Sequence, residues 1–269
     1  MKLNTRLYTQ PLSNLLGQTI LNRNNTSILE LDKSEIIELF QSYGVLLFRG
    51  FEADVEIFTQ FSNSLSSNFI NYAGGVFNRK IINNDPTVLT VNDFKDEVKL
   101  HGEMYYQKYQ PLMIWFFCAT PPLENGQTIV CDGRQFFEAL PEHLKDLLLT
   151  KKLKYTGHLS QEAWQKRYKT DDLEEVKATC FSNDMQCQVN EDQSIDLQYI
   201  CPAIHSSRKG DCRTFINSLL PAKKLTPNNV LFEDDSKILD DVMTELYDIG
   251  EKLTTEINWQ KGDILMIDN

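Results

Sequence analysis

A chain of 269 residues fits one large domain, and 27 basic against 38 acidic residues, net charge -11, argue against non-specific binding to nucleic acid or an anionic membrane, both of which want a basic surface. The apolar stretch from Leu112 to Ala119 falls well short of the roughly 20 residues of a membrane-crossing helix, and Met1-Lys2-Leu3-Asn4-Thr5-Arg6 lacks the apolar core and small-residue cleavage site of a secretory signal. A cytoplasmic protein with a small-molecule partner is expected. Cys118, Cys131, Cys180, Cys187, Cys201 and Cys212 include no C-x-x-C pair, so they read as reduced thiols used as small hydrophobes.

In chain order, Asp32-Lys33-Ser34-Glu35 predicts a helix start, with Asp32 as cap and Glu35 three residues on. Ile36, Ile37 and Phe40 then form the apolar stripe of a helix near 33–42. Gly44-Val45-Leu46-Leu47-Phe48, closed by Arg49-Gly50, suits a buried strand, and a second amphipathic segment covers roughly 54–65. From Val88 onward, short strands are expected at 88–92, 98–105, 112–119, 128–131, 153–157, 197–201, 213–218 and 263–267. Two helices interrupt them. Pro141 stands in a first-turn position before Leu144, Leu147 and Leu148, and Ile238, Val242, Leu246, Ile249 and Leu253 recur at helical spacing. The stretch 158–196 is polar and mixed, with Trp164 and Tyr168 embedded in charge, and reads as a lid or insertion over a barrel mouth. No linker or repeat divides the chain, so the expectation is a single domain, 1–269, mainly β with flanking helices (α+β), of barrel or jelly-roll type.

His101-Gly102-Glu103 is the candidate metal pair, because in extended backbone residues two apart face the same way. A His and a carboxylate so placed make two thirds of the 2-His-1-carboxylate facial triad of non-haem Fe(II) oxygenases. With four histidines and 38 acidic residues, roughly half an H-x-[DE] match arises by chance, so the tripeptide needs its context. A surface strand carrying a His and a Glu is the bland alternative.

Five blocks supply that context: Tyr43 to Phe51, Leu100-His101-Gly102-Glu103-Met104, Phe116-Phe117-Cys118-Ala119-Thr120-Pro121-Pro122, Gly126-Gln127-Thr128 with Asp132-Gly133-Arg134, and Gly262 to Asn269. In this order they resemble the taurine dioxygenase-like (TauD/TfdA) superfamily of Fe(II)/2-oxoglutarate oxygenases. The resemblance implies a double-stranded β-helix (a jelly-roll, cupin-like barrel), Fe(II) held by His101 and Glu103, and 2-oxoglutarate as cosubstrate with one carboxylate bonded by Thr128. An ordinary turn-to-strand threonine is the alternative for Thr128. Glu103 stands where halogenating members carry a small residue, so hydroxylation or a related desaturation is implied.

In that family the Gly-Asp strand leads within a few residues to the distal metal His and then to an Arg that pairs with 2-oxoglutarate, whereas this sequence stops at Asn269. The reading therefore expects a C-terminal strand to be missing. It keeps three explanations open, in this order: a chain cut short, an inactive remnant, and a metal-free barrel that binds a small molecule or a protein. Of the other histidines, His143 falls in a predicted helix, His158 at a strand end and His205 in a polar loop, where a surface role is expected; His205 is the substitute third ligand to test first. The wording His-Gly-Glu-Met and Phe-Phe-Cys-x-x-Pro-Pro is similar to members that hydroxylate amino acids, free or tethered to a carrier protein, in secondary metabolism. Tyr105 and Tyr106 adjoin the metal pair, and one of them is a candidate to face the pocket, with a core or surface tyrosine an equal alternative. No phosphate loop, nucleophile elbow, dinucleotide fingerprint or zinc spacing supports another chemistry.

Overall fold

The computed structural model describes residues 7–70, 79–91, 96–208 and 210–269. The signal-peptide reading of the first six residues, and the end of the 88–92 strand, lie outside them. The described residues carry both helices and sheets, in two compact units built from interleaved pieces of the chain.

The first unit takes the described residues of Met1–Ile70, Pro111–Asp132 and Leu253–Asn269. Asp32 accepts hydrogen bonds from the Ser34 and Glu35 N–H groups and starts the helix Lys33–Tyr43, which Gly44 ends at φ 70, a left-handed conformation that glycine adopts without strain. Glu35 does not complete a capping box; its Oε1 accepts instead from the Leu7 N–H. The chain then enters the strand Val45–Arg49 and the Asp54-capped helix Val55–Leu65. A five-stranded sheet runs, in spatial order, Tyr8–Pro11, Gln18–Leu21, Val45–Arg49, Ile264–Asp268 and Met113–Phe117. Only the pair Gln18–Leu21 with Val45–Arg49 is parallel, with the helix Lys33–Tyr43 in the crossover between them. One face packs Val45, Leu47 and Leu265 with Val130 and Ile257 of the two-stranded sheet Thr128–Val130 with Thr255–Ile257. Arg49 ends the central strand Val45–Arg49 on an ion pair. Its Nη2 lies 2.6 Å from Asp263 Oδ2, and Asp263, wholly buried, also accepts from Arg49 Nε and the Gln260 N–H.

The second unit takes the described residues of Asn71–Gln110 and Gly133–Lys252. Its main sheet is antiparallel, in the order Val230–Phe232, Leu153–Leu159, Ile195–Cys201 and Gln186–Val189. The 158–196 stretch forms the helices Gln161–Tyr168 and Leu173–Ser182 and the strand Gln186–Val189, around a core of Trp164, Val176, Cys180, Ile195 and Leu197. The helix Glu142–Thr150 starts one residue later than expected, with Pro141 as its N-cap. The helix Asp240–Leu253 buries Met243, Leu246 and Gly250.

The 98–105 segment is no strand. Val98, Leu100, Gly102 and Met104 alternate as a strand would, but 103–106 is turn, and Met104 has φ 65. The expected strand 213–218 shrinks to Arg213–Thr214. All six cysteines are free thiols, and no helix among the described residues is long and apolar enough to cross a membrane.

Candidate metal centre

His101 and Glu103 belong to the second unit, and their side chains converge although their backbone is not β. His101 Nε2 lies 3.5 Å from Glu103 Oε2. His101 Nδ1 lies 2.9 Å from the Lys99 carbonyl oxygen, a contact that engages Nδ1 and leaves Nε2 as the nitrogen facing the carboxylate. Two donors at about 2.1 Å from one ion, at right angles, are roughly 3 Å apart, so the separation is close to that of two neighbouring ligands. The pair therefore fits a divalent metal.

Glu103 meets Arg79 on its other oxygen, Nη2 to Oε1 at 3.4 Å. Burial by itself would push the Glu103 carboxyl up; the hydrogen bond with His101 and the charge of Arg79 outweigh it and hold the carboxyl below the usual carboxylate range. The ligand is kept ionised.

Gly102, between the two, has no space for a side chain. A Cβ there would stand 2.3 Å from Tyr105 Cδ2 and 2.6 Å from Ile216 Cγ1. Its N–H donates to the Asn217 carbonyl at 3.0 Å, and its own carbonyl accepts from Ser218 Oγ at 3.3 Å. Tyr105 thus packs on the glycine, with its ring edge-on to His205 at 5.2 Å between centroids.

Among the described residues no third His, Cys, Asp or Glu joins the pair. His143 is exposed and pairs with Glu245 at 3.2 Å, and His158 is exposed and pairs with Asp196 at 2.7 Å, in keeping with the expected surface roles. His205 departs from that expectation: it sits in the short strand His205–Ser206, and its Nε2 is buried with no hydrogen-bond partner among the described residues. Burial holds its pKa below the ordinary histidine value.

Thr128 lies in the first unit, at the start of the strand Thr128–Val130, and its Oγ1 accepts a hydrogen bond of 3.0 Å from Trp259 Nε1. With one lone pair so engaged, the hydroxyl keeps its proton as a donor. Arg79, Ile216, Asn217 and Ser218 escaped sequence reasoning because no local spacing ties them to His101.

The model of the family described as "Taurine catabolism dioxygenase TauD, TfdA family" matches residues 9–269. A clavaminate synthase-like protein of Arabidopsis thaliana is 22% identical over 249 residues, covering 84% of this chain and 75% of that protein. Among solved structures, a taurine dioxygenase from Burkholderia xenovorans aligns with TM-score 0.59 at 13% identity, covering 97% of this chain and 79% of that one. The PvcB protein from Pseudomonas aeruginosa aligns with TM-score 0.60 at 14% identity, over 98% and 82% of the two chains. AAD-2, solved with Mn(II) and N-oxalylglycine, aligns with TM-score 0.56 at 11% identity, over 98% and 87%. At these identities the structural likeness speaks for the fold.

Proposed function

Because the chain belongs to the TauD/TfdA family of dioxygenases, whose cofactor and cosubstrate are Fe(II) and 2-oxoglutarate, we propose that it hydroxylates a small molecule of amino-acid type, free or carrier-tethered, with His101 and Glu103 as metal ligands and Thr128 as a 2-oxoglutarate contact. The double-stranded β-helix of the family is part of this reading. Fe(II) with 2-oxoglutarate supplies, when bound, the oxidising power for an unactivated carbon.

The observation that carries the reading is the convergence of His101 Nε2 and Glu103 Oε2 at 3.5 Å, with Nδ1 already held by Lys99. The chain's own side chains then have separate tasks. Arg79 engages Oε1 and leaves Oε2 toward His101, so Oε2 and His101 Nε2 are the atoms that would hold the metal. Trp259 orients the Thr128 hydroxyl as a donor for a carboxylate. The amino-acid substrate class is supported by the wording around Glu103 and Pro121-Pro122.

Anaerobic titration with Fe(II) and 2-oxoglutarate tests the ligands. The wild-type chain should show a saturable, weak visible charge-transfer band, and Glu103→Ala should lose both the band and succinate formation. An unchanged band in Glu103→Ala would discard the metal assignment. A panel of amino acids, read by stimulated succinate release, tests the substrate class.

A further inference from the structure

Asn217 and Ser218 are 3% and 4% exposed, yet each polar group whose partner is known points to a structural task around one glycine. The Asn217 carbonyl accepts the Gly102 N–H, its Nδ2 donates to the Ala203 carbonyl at 2.9 Å, and its Oδ1 accepts the Leu219 N–H at 2.9 Å. The Ser218 N–H donates to the Tyr155 hydroxyl at 3.0 Å, while its own hydroxyl donates to the Gly102 carbonyl. Ser218 stands at the N-cap of the helix Leu219–Leu225, where a serine hydroxyl ordinarily bonds a first-turn N–H, but it makes no such bond. The hydroxyl is spent on Gly102 instead. Both peptide groups flanking the glycine are thereby held by two consecutive residues far along the chain, and Ile216 and Tyr105 close the space where a Cβ would lie. The directions of the side chains on either side of a residue follow from the orientation of those two peptide planes.

We propose that Asn217 and Ser218 are positioning residues for the metal pair: by holding Gly102 at its N–H and at its C=O they set the angle at which His101 and Glu103 converge. The inference rests on the reading of His101 and Glu103 as ligands. Neither residue touches the metal; each acts through the glycine backbone.

Mn(II) binding to the whole chain, followed by the electron paramagnetic resonance signal of the free ion, tests this without turnover. Ser218→Ala should weaken Mn(II) binding roughly ten-fold, and Ser218→Thr, which restores the hydroxyl, should recover most of the loss. Ser62→Ala is the control: that hydroxyl is as buried, and it bonds the Thr59 carbonyl within its own helix in the other unit. It should lower the thermal midpoint and leave Mn(II) affinity alone. Wild-type affinity in Ser218→Ala, or a loss that Ser218→Thr does not recover, would overturn the proposal. Equal Mn(II) affinity in wild type and Glu103→Ala would instead overturn the ligand reading beneath it, and the two failures are told apart by that single comparison.

Discussion

Gly102 shows how a residue without a side chain can govern two that have them. Its place is closed by Tyr105 and Ile216 at 2.3 and 2.6 Å from a hypothetical Cβ, both far inside contact distance. An alanine there would have to push the Tyr105 ring, itself packed against His205, or pull Gly102 from its bonds to Asn217 and Ser218. Overpacking of this kind typically costs about 1–3 kcal/mol, and the displacement falls on the backbone between the two ligands. Gly102→Ala should therefore lower the midpoint of chemical denaturation and weaken Mn(II) binding by more than ten-fold in the same protein. Calorimetric titration at a temperature where the variant is fully folded checks this, and metal binding at wild-type strength would mean that the glycine is kept for packing alone. The motif was visible in the sequence as a His and a Glu two apart, but the reason for the residue between them was not, because Ile216, Asn217 and Ser218, which hold and enclose it together with nearby Tyr105, lie more than a hundred residues away.

At the scale of elements, the readable ones carried their own punctuation. The helix Lys33–Tyr43 is marked by Asp32 at one end and Gly44 at the other, and the next strand and helix follow with equally local signals. The face of that first helix was harder to place. Ile36 is fully buried whereas Ile37, assigned to the same stripe, is 40% exposed. Ile36→Ala should cost about 2–5 kcal/mol and Ile37→Ala less than about 1, measured as shifts in urea midpoint at constant slope; equal costs would mean that the helix is turned otherwise. Elements whose apolar residues are diluted by charge went unseen. Trp164, Val176 and Cys180 form a core with Ile195 and Leu197, but in the sequence they are scattered through a charged stretch, and Phe181 beside Cys180 is exposed, so the period that marks a buried helix face is faint. The opposite error occurred at 98–105, where alternation suggested a strand although the Gly102 backbone bonds to Asn217 and Ser218 outside any ladder.

Across the molecule, segments far apart in sequence are joined within each unit, and this bears on how it folds. Each unit is assembled from separated segments, so neither is complete until nearly all the chain is present. The clearest case is the strand Ile264–Asp268, the last in the chain, which lies inside the five-stranded sheet and not at its edge: it pairs with Val45–Phe48 on one side and Met113–Phe117 on the other. Ile264, Leu265 and Met266 are at most 1% exposed, and burying three such side chains contributes about 5–9 kcal/mol. That is comparable with the whole stability of a typical domain, about 5–15 kcal/mol. Removing Ile264–Asn269 would also leave two strand edges unpaired in the middle of the sheet, a template for aggregation. A chain ending at Asp263 should therefore lose its cooperative thermal transition in far-ultraviolet circular dichroism and recover poorly from refolding by dilution. Removing only Asn269, whose side chain bonds the Pro111 carbonyl at the end of the neighbouring segment, should cost far less, about 1 kcal/mol. If the longer deletion kept a sharp transition near the wild-type midpoint, the central strand would be dispensable and the sheet would have to close without it.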